Sequence, residues 1–344
     1  MNEFLSPSLS EPLAAGRELV VGRYLLRNVR PGDEVGLVRL FRSCFPPDPG
    51  VFQPSSESLW RWKYGAPEGP LSCLAETLDT GEIVAHVGGL AMPMRCDGKR
   101  RLTVQCADHM VDREHRRSLE GTSLFTRLMY LWIENHCGMG GAFLAWGFPS
   151  PRDSRIGERQ LGYRALQPVR PLVRGIDRGA GARSASAGVV DRLPADAGEL
   201  WERTSTLVRH TVERSQSYLE RRYGDGTDSP YRVVALPGRG LAVVRPGGLE
   251  DRVAHVLEWI VDRDDHEAAE LLLDGIDRVA GALDCPQTGT WLPTWDRGHD
   301  WFRSQGAVVH TIALRRTGRS WDPELPIEEL DAGAYFSLGD IDFL

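Results

Sequence analysis

Apolar and polar positions change period several times along the chain, and each change marks an element. In "RYLLRNVRPGDEVGLVRLFRSCF" a short apolar run breaks at Pro31-Gly32-Asp33. Val35, Leu37, Val38, Leu40 and Phe41 then fall on one helical face. "SESLWRWKYGAPEGP" predicts a second helix, stopped by Gly65 and Pro67. Between Leu71 and Val111 the pattern is that of three strands, with turn residues at Asp79-Thr80-Gly81 and Asp97-Gly98-Lys99. A helical period returns from about Thr122 to His136, with Leu124, Phe125, Leu128, Met129, Leu131 and Trp132 inward. "GAFLAWGF" reads as a buried strand, "PSPRDSRIGERQLGY" as a short helix ending at Gly162, and "RALQPVRPLVR" as a returning strand.

That order predicts an α/β fold: a mixed, mostly antiparallel sheet flanked by helices, with one parallel pair made by the crossover helix. The second half repeats landmarks of the first in the same order. Tyr64-Gly65 is echoed by Tyr223-Gly224, "VDRE" at 111–114 by "VDRD" at 261–264, and Pro149 with Gly162 by Pro293 with Gly306. Two related domains are therefore expected, over 21–175 and 199–318. They are preceded by a flexible leader over 1–20, joined by a Gly/Ala/Ser-rich linker over 176–198, and followed by an acidic and apolar segment over 319–344.

Composition narrows the setting. The chain has 344 residues, 41% hydrophobic and 26% charged, as a soluble globular protein would. No apolar run reaches the ~18 residues a membrane span needs, and the start lacks the pattern of a signal peptide. Six scattered cysteines without a CxxC suit reduced thiols in a cytoplasm, and the nine histidines show no metal-ligand spacing, so no metal is expected. The net charge is -7. Residues 321–344 hold seven acids (Asp322, Glu324, Glu328, Glu329, Asp331, Asp340 and Asp342) and no Lys or Arg. The rest is formally neutral, so neither nucleic acid nor membrane is an expected partner. The aromatic and aliphatic residues of "YFSLGDIDFL" predict that this end docks rather than trails free.

One local cluster stands out. "HRRSLEGTSLF" places Arg116, Arg117, Ser118, Leu119, Glu120, Gly121, Thr122 and Ser123 between the last strand and the long helix. Backbone N–H groups and the positive end of a helix there make an anion site, to which the arginines and hydroxyls would add donors. GxxxxGK[ST] and GxGxxG are both absent. A polar turn ahead of an N-capped helix is the alternative reading.

"HMVDREHRRSLEGTSLFTRLM" resembles the acyl-CoA pyrophosphate loop of GNAT (GCN5-related) N-acetyltransferases. Val111 matches the end of the strand, and Arg116 matches the first basic residue of the six-residue loop ending at Gly121. Leu119 stands where the family has its first glycine, and Arg113 where it has proline. An alternative register puts Ser123 at the glycine. The Trp60-x-Trp62-Lys63-Tyr64 helix, "GEIVAHVGG", Gln105-x-x-Asp108 and "GFP…LGY" extend the resemblance. It implies tandem GNAT-like domains, with acetyl-CoA or another acyl-CoA as co-substrate of the first. Met110 and Val111 with the loop from Arg116 to Ser123 would bind it. Direct attack by a small-molecule amine would follow, with Asp108 or His109 as base and Asp108 raised in pKa by desolvation. Glu158 replaces the usual acidic tyrosine, and Tyr64, Tyr163 and the Trp60/Trp62 pair read as packing. The second domain resembles a degenerate copy, because Asp264 and Asp265 stand where a pyrophosphate would sit. A catalytically inactive pair that binds acyl-CoA or a protein is the alternative function; O-acylation or a longer acyl chain is a third. Oligomeric state is not set by the sequence.

Overall fold

The computed structural model describes residues 16–45, 56–116, 118–119, 122–177, 187–224, 231–247, 252–312 and 314–341. A hairpin of β1 (Leu19–Val21) and β2 (Tyr24–Asn28) begins the first sheet, so Leu19 and Val20 of the expected leader are strand. Helix α1 (Glu34–Cys44) buries Leu37, Val38, Leu40 and Phe41, but Val35 is turned outward and 54% exposed, against expectation. Helix α2 (Glu57–Tyr64) starts where the Ser56 hydroxyl accepts the Leu59 N–H at 3.1 Å. Strands β3 (Cys73–Thr77), β4 (Ile83–Cys96) and β5 (Lys99–Val111) form the expected antiparallel meander. The β4–β5 turn uses Asp97 and Gly98, with φ of 46° and 79°.

Two short strands, β6 (Ser118–Leu119) and β7 (Thr122–Ser123), pair ahead of helix α3 (Leu124–His136). The helix begins at Leu124, two residues later than expected, because Ser123 is extended and caps it. Its crossover places β8 (Leu144–Gly147) parallel to β5. Helix α4 (Pro151–Gln160) and β9 (Arg164–Ala165) follow.

The halves then exchange strands. β10 (Leu172–Gly175), expected to return to the first sheet, lies in the second between its β16 and β17. β11 (Gly188–Val190) is an edge strand of that sheet, so the expected linker is ordered there. Beyond helix α5 (Ala197–Thr204), β12 (His210–Val212) crosses back onto the far end of β4. Helix α6 (Gln216–Tyr223) leads to the meander β13 (Arg232–Leu236), β14 (Gly240–Pro246) and β15 (Val253–Val261). Helix α7 (His266–Ala282) crosses to β16 (Gln287–Thr290), parallel to β15, followed by helix α8 (Arg297–Ser304) and β17 (Val308–Val309). Finally β18 (Thr317–Ser320) inserts between β8 and β9 of the first sheet, and helix α9 (Ile327–Gly333) leads to β19 (Ala334–Tyr335) beside β12. The expected boundary near Gly175 thus separates stretches of chain but not sheets.

The C-terminal segment is docked as far as Ile341. Tyr335, Phe336, Leu338 and Ile341 are buried; Asp342, Phe343 and Leu344 lie outside the described residues. Asp340 is itself buried. It accepts from fully buried Arg214 at 2.9 Å, which also donates to Glu258 at 2.6 Å. Burial pushes the Glu258 carboxyl up despite the Arg214 charge. Gln105 on β5 donates to the Asp340 carbonyl at 2.7 Å, so this network ties the two sheets together.

Candidate functional site

The first sheet forks at the C-terminal end of β5. β5 and β8 pair in parallel from Thr103 with Leu144 to Cys106 with Gly147, and no further. Beyond Cys106, β5 runs on beside β4 alone to Val111. The Tyr163 hydroxyl sits 3.4 Å from the Cys106 sulfur at this branch point, buried as packing requires.

A bulge lies just past the fork. Gly88 faces Ala107 and His86 faces Met110, so Asp108 and His109 on β5 oppose one residue on β4. Asp108 takes φ of 49°, an uncommon conformation for a residue with a side chain. Two elements, β4 and α2, hold it through three side chains. His86 Nδ1 lies 2.9 Å from the Asp108 carbonyl and so donates to it. Lys63 donates to the Asp108 carboxylate at 3.0 Å, and the Tyr64 hydroxyl at 2.8 Å. Gly88 makes room for this contact, since a Cβ there would stand 2.3 Å from the Tyr64 hydroxyl and 2.4 Å from the Ala107 carbonyl.

The electrostatics correct one expectation. Burial by itself would raise the Asp108 carboxyl, but the Lys63 charge and the bonds from Lys63 and Tyr64 outweigh it. Asp108 is held below the usual carboxylate range rather than above it. It is therefore a charged anchor of the bulge and a weak proton acceptor. His86 is fully buried, and burial lowers it to about 4, so its ring is neutral. His109 packs against Phe125 and Trp132, with Nε2 3.2 Å from the Gly88 carbonyl. That acceptor places the proton on Nε2 and makes Nδ1 the basic atom of the ring.

The remaining expected residues frame the far side of the fork. Met110 is buried in β5, and the Val111 carbonyl accepts from Arg116 Nε at 2.9 Å. Ser123 caps α3, its hydroxyl 3.1 Å from the Thr126 N–H, so the helix start carries a neutral cap. The backbone of Ser118, Leu119 and Thr122 forms the small hairpin before it. Arg117, Glu120 and Gly121 lie outside the described residues. Glu158 accepts from Ser154 within α4 at 3.0 Å. Lys63 and His86 stood in motifs quoted from the sequence but were given no role there, and Tyr64 carries a hydrogen bond besides its stacking on Trp60 at 4.6 Å. The pair Gly88-Gly89 inside a strand was the available signal, because such glycines mark close approach. Among the described residues, no group of three or more His, Cys, Asp or Glu side chains is placed to hold a metal ion. No helix among them is long and apolar enough to cross a membrane.

No family model and no curated protein matches this chain. Solved structures do. A GCN5-related N-acetyltransferase from Kribbella flavida is similar with a TM-score of 0.59 and 17% identity, over 86% of this chain and 71% of the other. A second, from Anabaena variabilis, has a TM-score of 0.59 and 12% identity, over 87% and 73%. Saccharomyces cerevisiae N-myristoyltransferase with bound myristoyl-CoA also scores 0.59, with 11% identity over 95% of this chain and 92% of that one. Coverage of this extent takes in both sheets. A fork after a bulged strand, a crossover helix beside it and the likeness of both halves lead to one conclusion: this chain has the fold of the GCN5-related N-acetyltransferases.

Proposed function

We propose that the chain is an acyl-CoA-dependent N-acyltransferase that moves an acetyl group from acetyl-CoA to a small amine. The observation that carries this reading is the fork: parted strands, a bulge at Asp108 and His109, and a neutrally capped helix start after the loop that begins at Arg116. Parted strands leave backbone N–H groups of β5 for a thioester arm, and the helix start with Arg116 and Arg117 suits a pyrophosphate. In the reaction the amine nitrogen attacks the thioester carbon, the carbon–sulfur bond breaks, and the thiolate takes up a proton. His109 is the proton acceptor for the amine, and a β5 backbone N–H between His109 and Val111 stabilises the oxyanion. Asp108, pinned by Lys63 and Tyr64, positions that bulge. The neighbours named as an N-acetyltransferase and as N-myristoyltransferase with myristoyl-CoA support acyl transfer as the class.

A second reading, a chain that binds acyl-CoA without turnover, is favoured by the charged state of Asp108 and by Glu158 in place of a tyrosine. Free-thiol release from acetyl-CoA across a panel of small amines separates the two. Amine-dependent release lost in His109→Ala supports transfer, whereas calorimetric binding with no release for any amine supports the second.

A further inference from the structure

The second half has an open-mouthed cavity of about 260 Å³ at the end of β15, beside the starts of α7 and α8. It is the topological counterpart of the fork, since β15 and β16 pair in parallel only from Val253 to His255 and then part. Its chemistry is reversed. Where Ser123 caps α3, Asp265 caps α7, accepting the Ala268 N–H at 3.0 Å, and Asp296 caps α8, accepting the Gly298 N–H at 2.8 Å. Both helix starts are thus answered by a carboxylate within the chain, Asp265 being paired in turn with Arg239 at 2.6 Å, so neither start is left open to a further anion. The arginines of the lining are engaged as well. Arg263 donates to Asp296 at 2.6 Å and Arg297 to Asp264 at 2.7 Å. Asp262 accepts the Asp264 backbone N–H at 3.0 Å and completes three carboxylates against two guanidinium groups.

His266, Thr204 and Ser205 add polar atoms, and four aromatic side chains line much of the remaining wall. Trp259 and Trp301 stack with centroids 5.3 Å apart, and Trp201 lies 5.7 Å from Tyr335. Trp201 and Tyr335 already attract one cation, the Arg214 guanidinium, at 4.8 and 5.7 Å from their centroids. Indole and phenol faces carry the negative lobe of a quadrupole and favour cations, best of all where water is scarce. We propose that this cavity binds a small organic ammonium ion, with Trp259 and Trp301 meeting its alkyl groups and Asp262 its charge. A volume just under the ~300–1,000 Å³ of pockets for drug-sized ligands restricts the occupant to a compact head group. The proposal does not depend on what the fork binds.

The test is titration of the full chain with choline chloride, ethanolamine hydrochloride and sodium phosphate at matched ionic strength, read by tryptophan fluorescence and calorimetry. Saturable binding of choline or ethanolamine is expected, the tighter of the two telling quaternary from primary ammonium. Asp262→Asn and Trp301→Leu should each weaken it about tenfold. Asp262 is exposed and its replacement isosteric, so that variant remains informative even if Trp301→Leu fails to fold. The proposal is overturned if neither cation saturates, if phosphate alone binds, or if Asp262→Asn binds the cations unchanged.

Discussion

The chemistry of Asp108 is set by a partner far away in the sequence. Its place at the end of β5 was legible from the strand pattern, but its partner Lys63 lies 45 positions away, on a helix. Only the packing of α2 on the bulge brings that cation to the carboxylate. Lys63 is 14% and Asp108 8% exposed at the side chain, so removing one partner strands a buried charge. Lys63→Met should cost about 3–5 kcal/mol of unfolding free energy in urea. A loss below about 1 kcal/mol would mean the pair is effectively solvated. His86 gives a pH signature. Its ring titrates near 6.5 when unfolded and near 4 when folded, so the unfolded chain binds the extra proton between those values. Stability should therefore fall as pH drops from 6.5 to 4, by about 3 kcal/mol from this group. Urea midpoints across that window should fall less steeply in His86→Gln; an identical slope would contradict the assignment. His136, also buried and lowered to about 4, accounts for part of what remains.

At the scale of elements, β5 and β8 make the fork, and β4 shapes the bulge beside it. Gly88→Ala puts a Cβ against the Ala107 carbonyl and the Tyr64 hydroxyl, and one of these is backbone that cannot swing aside. A destabilisation of about 1–3 kcal/mol is expected, with the bulge contacts disturbed. Thermal unfolding at unchanged midpoint would show that β4 yields at no cost. The strands and helices of the first half were readable because turn residues and caps are local: Asp97-Gly98, Ser56 and Gly65 each sit at an observed boundary. What was not readable was membership of a sheet. β10, β12 and β18 are three or four residues long, too short to announce their partners, and their pairing is decided by tertiary packing. The start of α3 was misplaced for the same reason, since Thr122 is drawn into pairing with Leu119.

The whole molecule is knitted by that exchange. β18 closes the first sheet from the end of the chain, and β10 supplies the second sheet from the first half. Truncation after Gly333 should remove β19 and Asp340, leaving buried Arg214 with Glu258 alone. Loss of the buried Tyr335, Phe336, Leu338 and Ile341 should cost several kcal/mol, at about 1.5–3 kcal/mol for each buried apolar side chain, in a single unfolding transition that moves as a unit. Two separated transitions, one unshifted, would show that the halves fold independently. The docking of the C-terminal segment was legible from its aromatic content, whereas the buried arginine that receives it was not.

The most direct measurement is a calorimetric titration of acetyl-CoA into the full chain and into the Arg116→Ala, Arg117→Ala double variant. The account predicts one site per chain, at the fork, because the second half answers its own helix starts with Asp265 and Asp296. It also predicts that the double variant binds more weakly by about 2–4 kcal/mol, or roughly 30- to 900-fold. No binding of acetyl-CoA or of a longer acyl-CoA, or binding that the double variant leaves unchanged, would contradict an acyl-CoA site at the fork.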